Sequence, residues 1–143
     1  MRLLSAREHS RAELERKLSR FEEVPGSLAQ ALDALEAKNF ISEQRVAESL
    51  VHRRSSKLGV ARLQQELQAK GLEQDTIQDA LSNARTTEVE RARTVWRKKF
   101  GLSAQDPQEH AKQIRFLASR GFSGDTIRKV VSSKNDDDFT DPT

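Results

Sequence analysis

Two stretches decide the fold: Leu67-Gln68-Ala69-Lys70-Gly71-Leu72-Glu73-Gln74-Asp75-Thr76-Ile77-Gln78-Asp79-Ala80-Leu81 and Leu117-Ala118-Ser119-Arg120-Gly121-Phe122-Ser123-Gly124-Asp125-Thr126-Ile127-Arg128-Lys129-Val130-Val131. Counted from the leading leucine, both place an isoleucine ten residues on and an apolar residue fourteen on, with a glycine and an Asp-Thr-Ile triplet in matching places. A third copy of the frame begins at Leu18 and continues through Leu28 and Leu32, without the glycine. Self-similarity at a period of 49 and 50 residues marks a tandem repeat. The physical reading of each copy is a helix hairpin. Glycine ends one helix in the left-handed conformation, the following Leu72 or Phe122 folds back as a staple, and Asp75 or Asp125 restarts the next helix.

Around these stretches, apolar residues recur at helical spacing in Leu14, Leu18 and Phe21; Leu28, Leu32 and Leu35; Val46 and Leu50; Leu63 and Leu67; and Val95, Trp96 and Phe100. All six glycines fall between such stretches. Ser10 with Glu13 forms a capping box, Asp75 with Gln78 and Thr87 with Glu90 are read as similar starts, and Pro107 follows Asp106 as a first helical residue follows its N-cap. These signals predict a stub at 2–8 and helices at 10–20, 26–38, 42–56, 60–70, 74–84, 87–100, 107–120 and 124–133. Helices at 42–56 and 87–100 precede the last two hairpins, so the unit is a three-helix module of about fifty residues. The expected architecture is all-α, a tandem repeat of three-helix modules with an elongated, curved body. Its expected divisions are 1–41, 42–84, 85–134 and an acidic, disordered tail at 135–143.

Composition agrees. The chain has 143 residues, of which leucine and alanine supply 15 each against 12 for valine and isoleucine together, a balance that favours helix over strand. With no cysteine there is no disulfide framework, thiol nucleophile or thiolate metal site, and a cytoplasmic location is expected. No apolar run approaches the ~18 residues of a membrane span, so no membrane partner is expected. Net charge is +3, distributed unevenly: residues 85–134 hold twelve basic and five acidic side chains, and residues 135–143 hold four acidic and none basic.

Catalytic signatures are missing from the sequence. His9, His52 and His110 are scattered and form no metal-ligand spacing, and neither a phosphate loop nor a dinucleotide-binding glycine turn occurs. A binder with no cofactor and no enzymatic activity is the expectation. Candidate binding residues lie in two basic clusters. Arg53, Arg54, Lys57 and Arg62 surround one helix junction, while Arg91, Arg93, Arg97, Lys98 and Lys99 share one helix, of which Arg97, Lys98 and Lys99 are the candidates. They suit DNA phosphates or acidic patches on a protein partner, and equally a solvated, helix-favouring surface, since cations near a helix C-terminus complement its dipole. Arg45 and Arg120 are weaker candidates that also suit capping or pairing within a module. Trp96, Phe100, Phe116 and Phe122 read as core, so DNA contact would be ionic and independent of sequence rather than by base stacking.

Four stretches resemble the RecX regulatory proteins, modulators of the bacterial recombinase RecA. They are Arg7-Glu8-His9-Ser10-Arg11-Ala12-Glu13-Leu14 with Lys17-Leu18; Asn39-Phe40-Ile41-Ser42-Glu43-Gln44-Arg45-Val46-Ala47; Leu58-Gly59-Val60-Ala61-Arg62-Leu63 through Glu66-Leu67 to Lys70-Gly71-Leu72; and Phe116-Leu117-Ala118-Ser119-Arg120-Gly121-Phe122-Ser123. The chain departs from that family in a shorter N-terminal helix and in Ser42-Glu43, where an Asp pair is usual. The resemblance implies a cytoplasmic regulator of RecA filaments on single-stranded DNA, lowering recombinase, ATPase and coprotease activities in recombination, DNA repair and the SOS response, and a monomer is the simplest expectation. Two other readings stand beside it: a free-standing basic DNA-binding protein using its helix pairs as helix-turn-helix readers, and a protein-binding scaffold with no DNA requirement.

Overall fold

A computed structural model describes residues 8–131, so the expected stub up to residue 7 and the acidic tail lie outside the described residues. Eight α-helices follow one another with no β-strand among the described residues: α1 (Arg11–Leu18), a 3-10 turn (Ser19–Phe21), α2 (Ser27–Ala37), α3 (Glu43–Arg54), α4 (Val60–Ala69), α5 (Gln74–Thr86), α6 (Glu88–Lys99), α7 (Pro107–Ser119) and α8 (Gly124–Val130). These described residues fall into two compact units. One comprises 8–53 and Gln64–Ala80, the other Arg54–Leu63 and 81–131, so α4 and α5 contribute residues to both.

In the first unit, Leu14, Leu32 and Ile41 are buried with Leu18, Leu28 and Leu35 packed against them. The Ser10 capping box forms as expected: the Ser10 hydroxyl accepts from the Glu13 N–H at 3.1 Å and the Glu13 carboxylate accepts from the Ser10 N–H at 3.0 Å. The same two side chains also reach the glycine hairpin. Ser10 donates to the Lys70 carbonyl at 2.5 Å, and the Lys70 ammonium donates to the second Glu13 oxygen at 2.9 Å. Gly71 has φ +76°, and a Cβ there would lie 2.5 Å from the Ala12 Cβ, so this residue needs both the left-handed conformation and the absent side chain. Arg11 ties α1 to α2 through Asp33 at 2.5 Å and Glu36 at 2.8 Å, with Glu15 at 3.0 Å. The hydrogen bonds it donates to Glu36, then to Asp33 and Glu15, raise the pKa of its guanidinium above the ordinary value.

In the second unit, Ala92, Leu117, Phe122, Ile127, Val130 and Val131 form the core, with Val89, Val95, Trp96, Ile114 and Phe116 against it. Gly121 has φ +88°, and Phe122 donates its N–H to the Leu117 carbonyl at 3.2 Å, which is the predicted left-handed turn with a buried staple. A helix start again docks on this turn, because Gly59 and Ala61 donate their N–H groups to the Arg120 and Gly121 carbonyls at 2.8 and 3.2 Å. The repeat frame therefore repeats its packing too: eight residues before the leading leucine, Ser10 donates to the Lys70 carbonyl in one unit and Gly59 donates to the Arg120 carbonyl in the other. Gln113 stands where the frame has Leu14 and Leu63. It is buried, accepts from the Trp96 indole N–H at 2.9 Å and donates to the Leu102 carbonyl at 3.1 Å.

Three predicted caps differ. Thr87 holds the N-cap position of α6 without a side-chain cap. Only one residue separates α5 from α6, leaving no extended segment from which a hydroxyl could reach forward. Its hydroxyl instead donates back to the Asn83 carbonyl at 3.2 Å and accepts from Arg91 Nε at 3.0 Å. Asp75 sits inside the first turn of α5, and Asp125 likewise in α8, where Ser123 is the cap and accepts from the Thr126 N–H at 3.2 Å. Asp106 and Pro107 open α7 as predicted.

Candidate functional site

The second unit gathers cations at the carboxyl end of α7. Lys99 closes α6, Arg120 is the C-cap of α7, and Arg62 lies in the first turn of α4. The Lys99 ammonium stands 5.4 Å and the Arg120 guanidinium carbon 5.0 Å from the centre of the Phe116 ring, which also meets Phe100 edge-on at 5.5 Å. Arg62 donates to the Ser119 carbonyl at 3.0 Å. Helix geometry explains the convergence: the last carbonyls of α7 carry the negative end of its dipole, and an aromatic face attracts cations for about 0.5–1 kcal/mol at an exposed site. Phe116 is thus a half-buried platform for two cations as well as a core residue.

Arg97 and Lys98 precede Lys99 in the last turn of α6, and all three are exposed. None of the three has a carboxylate partner among the described residues. Arg91, counted with them in the sequence, has a different place. Its guanidinium donates to the Ala84 carbonyl at 2.6 Å, to Ser55 at 2.7 Å and to Leu58, clamping chain ends inside the second unit. Burial lowers its pKa from the ordinary value, and the nearby Glu88 charge partly offsets that. Arg93 is paired with Glu90 at 2.5 Å.

Of the other candidates, Lys57 is exposed and Arg54 is half-buried with an interaction of its own. Arg53 is exposed and belongs to the first unit. There too Arg45 pairs with Glu8 at 3.2 Å and donates to the Asn39 carbonyl at 2.8 Å. The structure therefore brings Arg62, Lys99 and Arg120 together, beside Arg97 and Lys98, and places Arg45 in a local ion pair.

What positions this cluster is Glu88, which residue-by-residue reading did not single out. Only 7% exposed, its carboxylate accepts from the Val60 N–H at 3.2 Å and the Ser123 N–H at 2.9 Å. It holds the start of α4, which carries Arg62, and the approach to α8 against the first turn of α6. Its sequence signal is only an acid in a helix's first turn, which is too common to identify a long-range cap.

Chemically, clustered cations beside an aromatic ring offer a surface for phosphates or carboxylates, sensitive to salt and indifferent to base sequence. Among the described residues no group of His, Asp or Glu side chains is arranged to hold a metal ion, and no helix is long and apolar enough to cross a membrane.

Comparison with known proteins gives the chain its relatives. Residues 42–81 match the model of the second three-helix domain of RecX, and residues 86–131 that of the third. The regulatory protein RecX of Leptothrix cholodnii is 51% identical over 131 residues, covering 92% of this chain and 83% of that one. That of Herminiimonas arsenicoxydans is 44% identical, covering 96% and 91%. The crystal structure of RecX from Lactobacillus salivarius shares the fold with a TM-score of 0.75 at 22% identity, over 90% of this chain and 87% of that one.

Proposed function

The chain belongs to the RecX family of regulatory proteins, and from that premise we propose that it binds RecA filaments on single-stranded DNA and inhibits their recombinase, ATPase and coprotease activities. It acts as a cytoplasmic, monomeric binder without catalysis of its own, and through RecA it tempers recombination, DNA repair and the SOS response. The observation that carries this reading is family membership over nearly the whole chain. The cation cluster around Phe116 supports it, since a filament on DNA presents phosphates and acidic side chains together. Several small modules, each contributing a modest contact, suit a repeating target such as a filament, where linked contacts multiply affinity.

The test is the single-strand-dependent ATPase rate of purified RecA on preformed filaments during titration with this protein at two salt concentrations. A fall well below one molecule per RecA subunit supports regulation by capping or disassembly, and a fall only near saturation supports occupation of the filament. An unchanged rate, with affinity for DNA alone retained, overturns the proposal in favour of a free-standing DNA-binding protein.

A further inference from the structure

The exposed cations that close α6 lack carboxylate partners among the described residues, and yet the chain contains an acidic run a short distance beyond α8. Residues 136–141 read Asp136-Asp137-Asp138-Phe139-Thr140-Asp141, four carboxylates and one aromatic ring with no cation. We propose that this segment docks back on the surface formed by Lys98, Lys99, Arg120 and Phe116, acting as an internal polyanion that competes with external ones. The inference rests on reading that cluster as a polyanion-binding surface.

Three observations carry it. First, charge is complementary and unbalanced on each side: residues 85–134 hold twelve basic against five acidic side chains, and the next nine residues hold four acidic and no basic ones. Secondly, the chain arrives at the right place. Val131 is buried in the same core against which Phe116 packs, and Asp136 follows five residues later, a span of about 17 Å when extended. Thirdly, the surface is built rather than merely charged, since Lys99 and Arg120 are both held over one aromatic ring whose edge contact is Phe100. Phe139 directly follows the three aspartates and supplies an apolar group for the Phe100 and Phe116 pair. A tethered segment of this length has a high effective concentration, so even weak ion pairs compete with an intermolecular ligand.

The experiment compares the full chain with a variant ending at Lys134 and with the full-length triple variant Asp136→Asn, Asp137→Asn, Asp138→Asn. Two readouts are taken at low and high salt: affinity for a labelled oligothymidylate, and backbone amide chemical shifts of the 15N-labelled protein without any ligand. Both variants are expected to bind the oligonucleotide roughly tenfold more tightly at low salt, with the difference collapsing at high salt. The amides of Lys98, Lys99, Phe116 and Arg120 are expected to shift between full chain and variants, while those of Arg11 and Leu14 stay in place. Tighter binding without shifts at the cluster overturns docking, because the tail then acts by long-range repulsion alone. No change in either readout, or shifts confined to another surface, overturns it as well. If no variant binds the oligonucleotide, the polyanion reading of the cluster fails, and the ligand-free amide shifts still decide whether the tail docks.

Discussion

Glu88 and Val60, 28 positions apart in the chain, are joined by a hydrogen bond of 3.2 Å from the Val60 N–H to the carboxylate of a glutamate that is 7% exposed. The second oxygen serves Ser123 at 2.9 Å, so one side chain caps two segments. Glu88→Ala leaves two partly buried N–H groups without an acceptor and is expected to destabilise the protein by about 3 kcal/mol in urea or thermal unfolding. Glu88→Gln keeps one acceptor oxygen and turns an amide donor towards the other N–H, and it is expected to lose about half as much. Equal stability of the wild type and Glu88→Ala would show that water replaces the carboxylate at both positions.

The glycines separate two physical causes. Gly26 has φ +87° with nothing within 4 Å of an added Cβ, whereas Gly59 has no positive φ but would place a Cβ 2.3 Å from the Gly121 carbonyl oxygen. Gly121 combines both constraints, with φ +88° and a Cβ 2.6 Å from the Arg62 backbone nitrogen. Gly26→Ala is expected to cost about 1 kcal/mol, the price of the left-handed conformation alone. Gly59→Ala and Gly121→Ala should each cost more, with Gly121→Ala the worst. Urea midpoints of the three variants check the order.

Arg91 is the structural member of a basic helix. Arg91→Lys retains the charge but cannot fork to the Ala84, Ser55 and Leu58 carbonyls at once. It is expected to lower thermal stability measurably, on the order of 1–2 kcal/mol, while Arg97→Lys leaves stability unchanged. Identical melting of Arg91→Lys and the wild type would contradict the clamp.

Neutralising Arg97, Lys98 and Lys99 together to Gln is expected to weaken filament binding with only a small loss of stability from the helix dipole. If the three contact single-strand phosphates, the slope of log affinity against log salt should flatten by roughly two. Inhibition that is unchanged at matched salt would remove these three residues from the binding surface.

Much of the fold was legible because its signals are local. The capping box at Ser10 and Glu13, the Asp106-Pro107 start and the glycine turns at Gly71 and Gly121 are settled by interactions within about five residues, which is also the range over which helical periodicity is read. At Thr87 the helix starts where the sequence predicts, but the side-chain cap is missing because the hydroxyl is claimed by Asn83 behind it and Arg91 ahead of it, a competition invisible in the capping pattern alone. The candidate site was legible only as a density of positive charge.

The sequence by itself determined the helical class, the repeat of about fifty residues and the turns that punctuate it, since backbone preference and short-range capping act wherever the chain goes. Tertiary structure decided what each charge does. Arg91 and Arg97 lie on one helix six residues apart, yet one is consumed by the carbonyls of Ser55, Leu58 and Ala84 and the other faces solvent. Whether a cation is spent on its own chain or left for a ligand depends on which carbonyls and carboxylates packing brings within 3 Å. Those partners are 33 and 36 positions away for Arg91, and 57 for the Glu13 and Lys70 pair, beyond the reach of any local pattern.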